Sequence, residues 1–324
     1  MREAAERVDH EALDASPDQG ISGGYAYFQG AIVPFASAQV SIATHALHYG
    51  TGCFEGIRGY WNQAVKELYL VKLREHFQRF TKSARLLKME LTESLEELAE
   101  ITLEVLRRDG YRQDVYVRPI AYKSSPVLKI DLHTPANGLA IFALPLGDYS
   151  STTGLRVTIS SWRRVTDNSI PARGKITGSY VNTALAVEDA QAAGYDDCLM
   201  LTEQGHIAEG SAANFFMVEG RALVTSPVND EILVGLTRAA IIRLARDLQL
   251  EVRERSIDRS EVYQAEEAFL CGTGVQIGPI LSVDGRPIGS GRPGPVTTAL
   301  KETYFHAVRG EDPRYREWLT PVYQ

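Results

Sequence analysis

The chain has 324 residues, of which 44% are hydrophobic and 23% are charged, and its formal net charge is −7. The length predicts two domains, and the composition is that of an ordinary globular protein. The acidic balance and the lack of a long Lys/Arg run exclude a nucleic-acid-binding protein. No apolar run of about 18 residues occurs, so no membrane-spanning helix is expected.

Three cysteines are scattered along the chain without CxxC spacing: Cys53, Cys198 and Cys271. An odd and sparse set argues against a disulfide framework and against a zinc site. The first residues are charged and lack the apolar region of a secretory signal. We therefore expect reduced thiols in a cytoplasmic protein.

The first half mixes strands and helices. Residues 1–23 are polar and largely acidic, which predicts a mobile N-terminal extension. A hairpin is then expected to turn at Gln29-Gly30, and KELYLVKL alternates as a strand does. The segment REHFQRFTKSARLLKM has the apolar spacing of a helix.

A second helix is predicted at about 94–109, because Ser94 and Glu97 form a capping box before it and Gly110 follows it.

The second half begins with the strand LRVTISSW. An alanine-rich helix in SYVNTALAVEDAQAAG, several short strands and an amphipathic helix in LTRAAIIRLARDLQL follow it. Residues 146–154 are rich in small polar residues and predict a linker between domains 24–145 and 155–324. The predicted fold class is α/β with mixed sheets, that is, mixed α+β.

Lys175 differs in its setting from the other seven lysines. It lies between Gly174 and Gly178, just before the alanine-rich helix. Flanking glycines let the backbone approach a bound group, and a lysine that attacks a carbonyl must be held still and partly desolvated. The alternative is an ordinary lysine in a surface loop.

Glu209 lies between apolar Ile207-Ala208 and a run of small residues, which suggests burial. A buried carboxylate needs a partner. In the chemistry of pyridoxal 5′-phosphate (PLP), that partner is the ring nitrogen of the cofactor. A surface acid at a strand end is the alternative.

Two glycine turns can present backbone donors to a phosphate. Gly235-Leu236-Thr237 opens the amphipathic helix, and Gly272-Thr273-Gly274 follows an apolar strand. Arg74, at the start of an earlier helix, is expected to add a charge-assisted bond, unless it is a surface residue of the first helical turn.

Residues 44–60, THALHYGTGCFEGIRGY, are dense in aromatic residues, glycine and histidine. His45 and His48 are three residues apart, which would suit a metal ligand pair on a helix. No carboxylate or third histidine accompanies them, so a structural role is preferred and no metal is expected.

Several segments occur together in one order: THALHYGTGCFEGIRGY, LREHFQRF, VYVRP, GSYVNTALA, AEGSAANFF and GLTRAAIIRLA. This ordered set, over about residues 25–310, resembles the branched-chain amino-acid aminotransferases, which are fold-type IV PLP enzymes. The resemblance implies a transaminase that moves the amino group of L-leucine, L-isoleucine or L-valine to 2-oxoglutarate by ping-pong Schiff-base chemistry. Residues 155–324 would then be the large, cofactor-binding domain.

The resemblance also implies site roles. Lys175 would be the catalytic Schiff-base lysine, Glu209 the partner of the ring nitrogen, and Tyr180 the partner of the 3′-oxygen. The residues that match the phosphate grip are Arg74, Leu236, Thr237 and Thr273. The residues that match the substrate pocket are Tyr49, Phe54, Gly56, Arg58, Tyr116, Arg118, Tyr149 and Gly274.

Within that pocket, Tyr116 and Arg118 resemble the pair that holds the substrate α-carboxylate, together with the backbone of Thr273 and Gly274. A mobile or rim-placed Arg58 would receive the γ-carboxylate of glutamate. The expected partners are amino acids, 2-oxo acids and a second copy of the chain, because in the family a loop matching 123–135 closes the pocket of the neighbouring subunit.

Three further activities remain open on the same fold: (R)-amine transamination, D-amino-acid transamination and aminodeoxychorismate cleavage. The Tyr116-x-Arg118 pair favours the branched-chain enzyme. A binding protein without catalysis would be expected to lack Lys175 or Glu209.

Overall fold

The computed structural model describes residues 23–147 and 154–324. The expected N-terminal extension, apart from residue 23, lies outside these ranges, as do most of the expected linker and Tyr149. The domain division therefore stays a prediction. No helix in the two described ranges has the length and apolarity needed to cross a membrane.

The elements of the first half follow in chain order. They are β1 (Tyr25–Phe28), β2 (Ala31–Pro34), α1 (His45–Tyr49), β3 (Gly52–Phe54), β4 (Ile57–Asn62), β5 (Glu67–Val71), α2 (Leu73–Leu86), α3 (Leu95–Asp109), β6 (Val115–Lys123) and β7 (Asn137–Pro145). The hairpin at Gln29-Gly30 is confirmed. The capping box of α3 and the left-handed Gly110 that ends this helix are confirmed as well.

The elements of the second half continue the chain. They are β8 (Leu155–Arg163), α4 (Tyr180–Ala192), β9 (Asp197–Leu201), β10 (Ile207–Gly210), β11 (Asn214–Glu219), β12 (Ala222–Thr225), α5 (Leu236–Asp247), β13 (Glu251–Glu254), α6 (Arg259–Val262), β14 (Glu267–Gly272), β15 (Gln276–Val283), β16 (Arg286–Pro287), α7 (Pro295–Val308) and β17 (Leu319–Pro321).

Each half of the described chain contributes most of the strands of one sheet. The first sheet has the order β17-β5-β4-β6-β7-β1-β2, with β3 beside β6, and its pairs are antiparallel. The second has the order β10-β9-β8-β15-β14-β11-β12-β13, with β16 beside β15, and contains both parallel and antiparallel pairs. The mixed α/β fold class is confirmed. The last strand, β17, returns to the sheet of the first half.

Helices cover the sheets with their apolar faces. Phe77 and Phe80 of α2 and Leu98 of α3 are buried with the strands of the first sheet. Leu244 of α5 and Leu300 of α7 are buried with strands of the second. This packing brings α2 from the first half and the first turn of α5 from the second half to the same region, where Arg79 of α2 donates to the carbonyl of Val234.

Candidate active site

The loop that carries Lys175 is fixed to the first half by backbone bonds. The N–H of Phe54 donates to the Lys175 carbonyl at 3.0 Å, and Cys53 forms a β-bridge with Ile176. The Lys175 N–H donates to Ser83 Oγ on α2 at 3.1 Å. The lysine side chain therefore starts from an anchored backbone at the junction of the two halves.

Gly178, the first glycine after Lys175, packs closely against Gly50. The N–H of Gly178 donates to the carbonyl of Gly50 at 3.2 Å. A Cβ on Gly50 would lie 2.7 Å from Gly178 Cα, which is too close for any side chain. Gly178 therefore allows the loop and the end of α1 to meet, and the expectation that the flanking glycines admit a bound group stays a prediction.

The Lys175 amine is held among aromatic rings. Its Nζ donates a 2.7 Å hydrogen bond to the Tyr180 hydroxyl and lies 4.9 Å from the centre of the Phe54 ring. Burial, and then the positive charge of Arg79, lower the pKa of Lys175, which increases the neutral fraction of the amine. Burial raises the pKa of Tyr180 to about 12, so its hydroxyl keeps its proton. The surface-loop alternative for Lys175 is excluded.

Glu209 is buried on β10, with 4% of its surface exposed. Its Oε1 accepts from Arg164 Nε at 2.8 Å, and its Oε2 accepts from Asn214 Nδ2 at 3.0 Å and from the N–H of Leu233 at 3.2 Å. Burial raises the pKa of Glu209, while Arg164 opposes this shift. The group is a buried, oriented acid with a higher proton affinity than a surface glutamate.

The first turn of α5 borders a cleft. Leu236, Thr237 and Thr273 line it together with Arg58 and His76. The free N–H groups and the positive dipole end of a helix N-terminus attract anions. The predicted turns at 235–237 and 272–274 thus meet in space.

Arg74 is not part of this cluster, which corrects the expectation. Its guanidinium forms a 2.6 Å ion pair with Glu96, and its side chain is 65% exposed. Arg79, further along α2, lies beside the start of α5 instead. Its Nη1 donates to the carbonyl of Val234 at 2.9 Å, beside the start of α5. The physical reason is helical phase, because Arg74 faces solvent whereas Arg79 adjoins the buried face of α2.

Arg58 is buried, with 1% of its surface exposed, so the expectation of a mobile or rim-placed arginine is wrong. Its Nη2 donates to the carbonyls of Leu146, at 2.9 Å, and Gly147, and its Nη1 donates to the carbonyl of Gly274 at 3.4 Å. These acceptors hold the guanidinium between the end of the first half and the turn at 272–274.

The Tyr116 and Arg118 pair lies next to the lysine site. Arg118 Nη2 donates to the Tyr116 hydroxyl at 3.1 Å, and its guanidinium lies 4.4 Å from the centre of the Phe54 ring, which also contacts Lys175. Gly56 must lack a side chain here, because a Cβ would overlap the Tyr116 hydroxyl. Four predicted pocket residues are therefore brought together.

Tyr49 and the two histidines lie on α1 and face a different region. The Tyr49 hydroxyl donates to the carbonyl of Leu128 at 2.9 Å. Both ring nitrogens of His45 are occupied, by Thr51 Oγ1 at 2.7 Å and the carbonyl of Lys129 at 3.0 Å. These bonds support the structural role preferred for His45.

A sequence model of the amino-transferase class IV family matches residues 52–283 of the chain. The chain belongs to this family. As a class IV aminotransferase it is an enzyme of the transaminase class. The match includes Lys175, Glu209 and both turns that border the cleft.

A curated relative of this class IV aminotransferase is similar in sequence over nearly the whole chain. A probable branched-chain-amino-acid aminotransferase from Aquifex aeolicus is 49% identical over 312 residues, which cover 94% of this chain and 99% of the relative.

Two solved structures share the fold. A T.th. branched-chain amino acid aminotransferase complexed with N-(5′-phosphopyridoxyl)-L-glutamate is 40% identical, with a TM-score of 0.90 and coverage of 94% of this chain and 100% of that one. The PLP form of the Thermobaculum terrenum enzyme is 37% identical, with a TM-score of 0.89 and coverage of 93% and 99%. The fold is that of the fold-type IV aminotransferases.

Proposed function

We propose that this class IV aminotransferase uses PLP to transfer the amino group of branched-chain L-amino acids to 2-oxoglutarate. The observation that carries the proposal is the arrangement of three unlike groups around the start of α5: the Glu209 carboxyl, the Lys175 amine and the helix N-terminus. Glu209 accepts from the N–H of Leu233, Arg79 of α2 donates to the carbonyl of Val234, and Ser83 of α2 binds the Lys175 backbone. An aldehyde, a basic ring nitrogen and a phosphate would each find a matching partner here.

The residues present fit the cofactor end by end. Arg79, Leu236, Thr237 and Thr273 would hold the phosphate, and Glu209 would hold the proton on the ring nitrogen. Tyr180, whose hydroxyl stays protonated, would donate to the 3′-oxygen. When bound, PLP supplies an aldehyde that carries the amino group and a ring that accepts electrons.

Lys175 is proposed to move the proton at the substrate Cα. Its amine lies between Phe54 and Tyr180, and its lowered pKa increases the fraction of the neutral amine, which is the form that acts as a base. The Tyr180 hydroxyl, at 2.7 Å, orients the amine. The anchored backbone of the loop keeps this geometry during both half-reactions.

Tyr116 and Arg118 are proposed to bind the substrate α-carboxylate, with the backbone N–H groups of Thr273 and Gly274. Phe54 gives the pocket an apolar wall suited to a branched aliphatic side chain. The complex of the T.th. relative with a phosphopyridoxyl-glutamate adduct supports glutamate and 2-oxoglutarate as the second pair. Arg58 is not proposed as the γ-carboxylate partner, because backbone carbonyls already hold it.

A homodimer is part of the proposal. Large apolar side chains are exposed together on α1, the segment before it and loop 124–136: Val40, Ile42, Leu47, Leu128 and Ile130. Large apolar side chains that are exposed close together on the surface indicate an interface. A second copy that covers it would also enclose Tyr49, which donates to Leu128.

The test combines trapping with a donor series. Borohydride reduction of the purified protein should fix one cofactor on the peptide that contains Lys175, as read by mass spectrometry. Glutamate should form from 2-oxoglutarate with L-leucine, L-isoleucine and L-valine. Turnover with D-leucine or (R)-1-phenylethylamine alone would reject the L-branched-chain assignment, and failure to trap cofactor on Lys175 would reject the PLP proposal.

A further inference from the structure

Glu55 is a fully buried carboxylate in the link between β3 and β4, and none of the roles above uses it. It accepts three hydrogen bonds from α2. Arg79 Nε donates to its Oε1 at 2.7 Å, Arg79 Nη2 donates to its Oε2 at 2.8 Å, and His76 Nδ1 approaches Oε2 at 2.7 Å. The carboxylate is thus held by a two-point arginine fork and an imidazole.

The fork determines how Arg79 can point. Two of its nitrogens face Glu55, and Nη1 also donates to the Val234 carbonyl at 2.9 Å. A guanidinium has more N–H donors than these bonds use, and the plane of the fork fixes the direction of the remaining ones. Arg79 therefore presents oriented donors beside the first turn of α5, where the phosphate is proposed to lie.

His76 links the same carboxylate to the cleft. Its ring borders the space lined by Leu236, Thr237 and Thr273. Burial lowers the pKa of His76 although Glu55 opposes the shift, which favours the neutral ring. In a neutral ring whose Nδ1 donates to Glu55, Nε2 is an acceptor, so the contact with Glu55 sets the tautomer.

Stability alone is a weak reason to keep this arrangement. A buried ion pair often contributes no more than well-packed apolar residues of similar volume would. Arg79 joins Glu55 to the carbonyl of Val234 beside α5, and Ser83 of the same helix binds the Lys175 N–H. The ion pair thus lies on the helix that contacts both the Lys175 loop and the start of α5.

We propose that Glu55 is a positioning residue, which fixes the Arg79 guanidinium and the His76 ring against the α5 N-terminus so that they are preorganised for the cofactor phosphate. This inference rests on the proposed function, because it assumes that the anion is the phosphate of PLP. Glu55 itself touches neither cofactor nor substrate in this scheme. Its effect should therefore depend on whether the ligand carries a phosphate.

The test compares three ligands on the full-length protein after cofactor removal: PLP, pyridoxal and inorganic phosphate. Glu55→Gln keeps the size of the side chain but removes the charge and the two-point acceptor. We expect the Kd for PLP and for inorganic phosphate to rise about 10- to 100-fold, the range for losing a charge-assisted hydrogen bond. The Kd for pyridoxal, which lacks the phosphate, should stay within about twofold.

Glu96→Gln is the matched control. It removes the partner of Arg74, an arginine of the same helix whose ion pair is exposed to solvent. All three affinities should be unchanged. If Glu55→Gln does not fold, Glu55→Asp keeps the charge and withdraws it from Arg79, and the same phosphate-dependent loss is expected.

Equal losses for PLP and pyridoxal in the Glu55 variant would assign Glu55 a merely structural role and overturn the inference, as would no loss for any ligand. If the wild-type protein binds inorganic phosphate but not PLP, the proposed function is rejected and the cofactor phosphate can no longer be the anion. A loss of phosphate affinity in Glu55→Gln would then show only that Glu55 positions Arg79 for an anion. A wild-type protein that binds neither would reject both.

Discussion

Two regions reverse the usual distribution of charged residues outside and apolar residues inside. The first is the site around Lys175, and the second is the surface formed by α1 and loop 124–136. Charged groups that water would solvate well, such as Glu55 and Glu209, are buried at the first. Large apolar groups are exposed at the second, where 86% of Ile42 and 83% of Ile130 face solvent. Neither arrangement favours the stability of an isolated chain.

The difference shows what each region requires. Buried charges retain strong, oriented interactions in a low dielectric, which is useful for chemistry. Exposed apolar side chains gain free energy only when another surface covers them. The first region is therefore interpreted as the reaction centre and the second as the place where a second copy docks.

Lys175→Ala carries the largest expected effect. Without the amine, no side chain at this position can accept or return the proton at Cα, so kcat should fall by roughly 10⁴-fold or more. Steady-state transamination of L-leucine measures this, and Lys82→Ala, an exposed position on α2, is the control. Residual activity within about tenfold of wild type would remove Lys175 from the chemistry.

Glu209→Gln should have the next largest effect. The amide keeps the shape of the buried acid but loses its affinity for the ring proton, so kcat should fall about 10²-fold or more. Glu267→Gln is the matched control, because Glu267 is also buried but accepts from the N–H groups of Val296 and Thr297. That variant should lower Tm without lowering kcat of the folded fraction. The reverse pattern would contradict the assignment of Glu209.

The sequence predicts the helix caps, turns and helices, because these depend on residues that are close together in the chain. The capping box at Ser94, the turns at glycine and the amphipathic helices follow from spacing and backbone preference. The family resemblance, and not a local rule, predicts that Lys175, Glu209 and the α5 N-terminus contribute to one site. Periodicity alone does not indicate which distant segments come together.

The predictions for Arg74 and Arg58 were wrong because each depended on where distant segments lie in the fold. Arg74 and Arg79 belong to the same helix, and the helical phase was the signal that separates them. Arg79 falls between His76 and Ser83, which are both buried, whereas Arg74 does not. Glu55 gave no local sign of burial, because its partners come from a helix that begins 18 residues later. Arg58 was misjudged for the same reason, since its acceptors are carbonyls of remote segments.

The exposed apolar surface gives the third prediction. The double variant Ile42→Asp/Ile130→Asp would place charges where a second copy is proposed to pack, which should raise the dimer Kd at least about 30-fold. Light scattering after gel filtration measures the mass. Val65→Asp, at an exposed apolar position in the turn between β4 and β5, should leave the mass unchanged. A wild-type protein that is monomeric at micromolar concentration would refute this interpretation of the surface.

The smallest predicted effect concerns a buried acid outside both regions. Asp109 accepts from the N–H of Tyr25 at 2.8 Å, and its Oδ2 is buried without a partner among the described residues. Burial raises the pKa of Asp109 from 3.8 to about 7. The folded protein then keeps a proton that the unfolded chain releases above about pH 4, so this group lowers stability as the pH rises toward 7.

Asp109→Asn is neutral at every pH and keeps the acceptor for Tyr25. It should therefore raise Tm at pH 8, by a few degrees and with an upper limit of about 4 kcal/mol in free energy of unfolding. The difference from wild type should shrink toward pH 5, while kcat stays unchanged. A destabilised variant at pH 8 would show that Asp109 is ionised and paired in the folded state. The predicted result would show that a buried charge outside the reaction centre is a cost, and would leave function as the reason for those inside it.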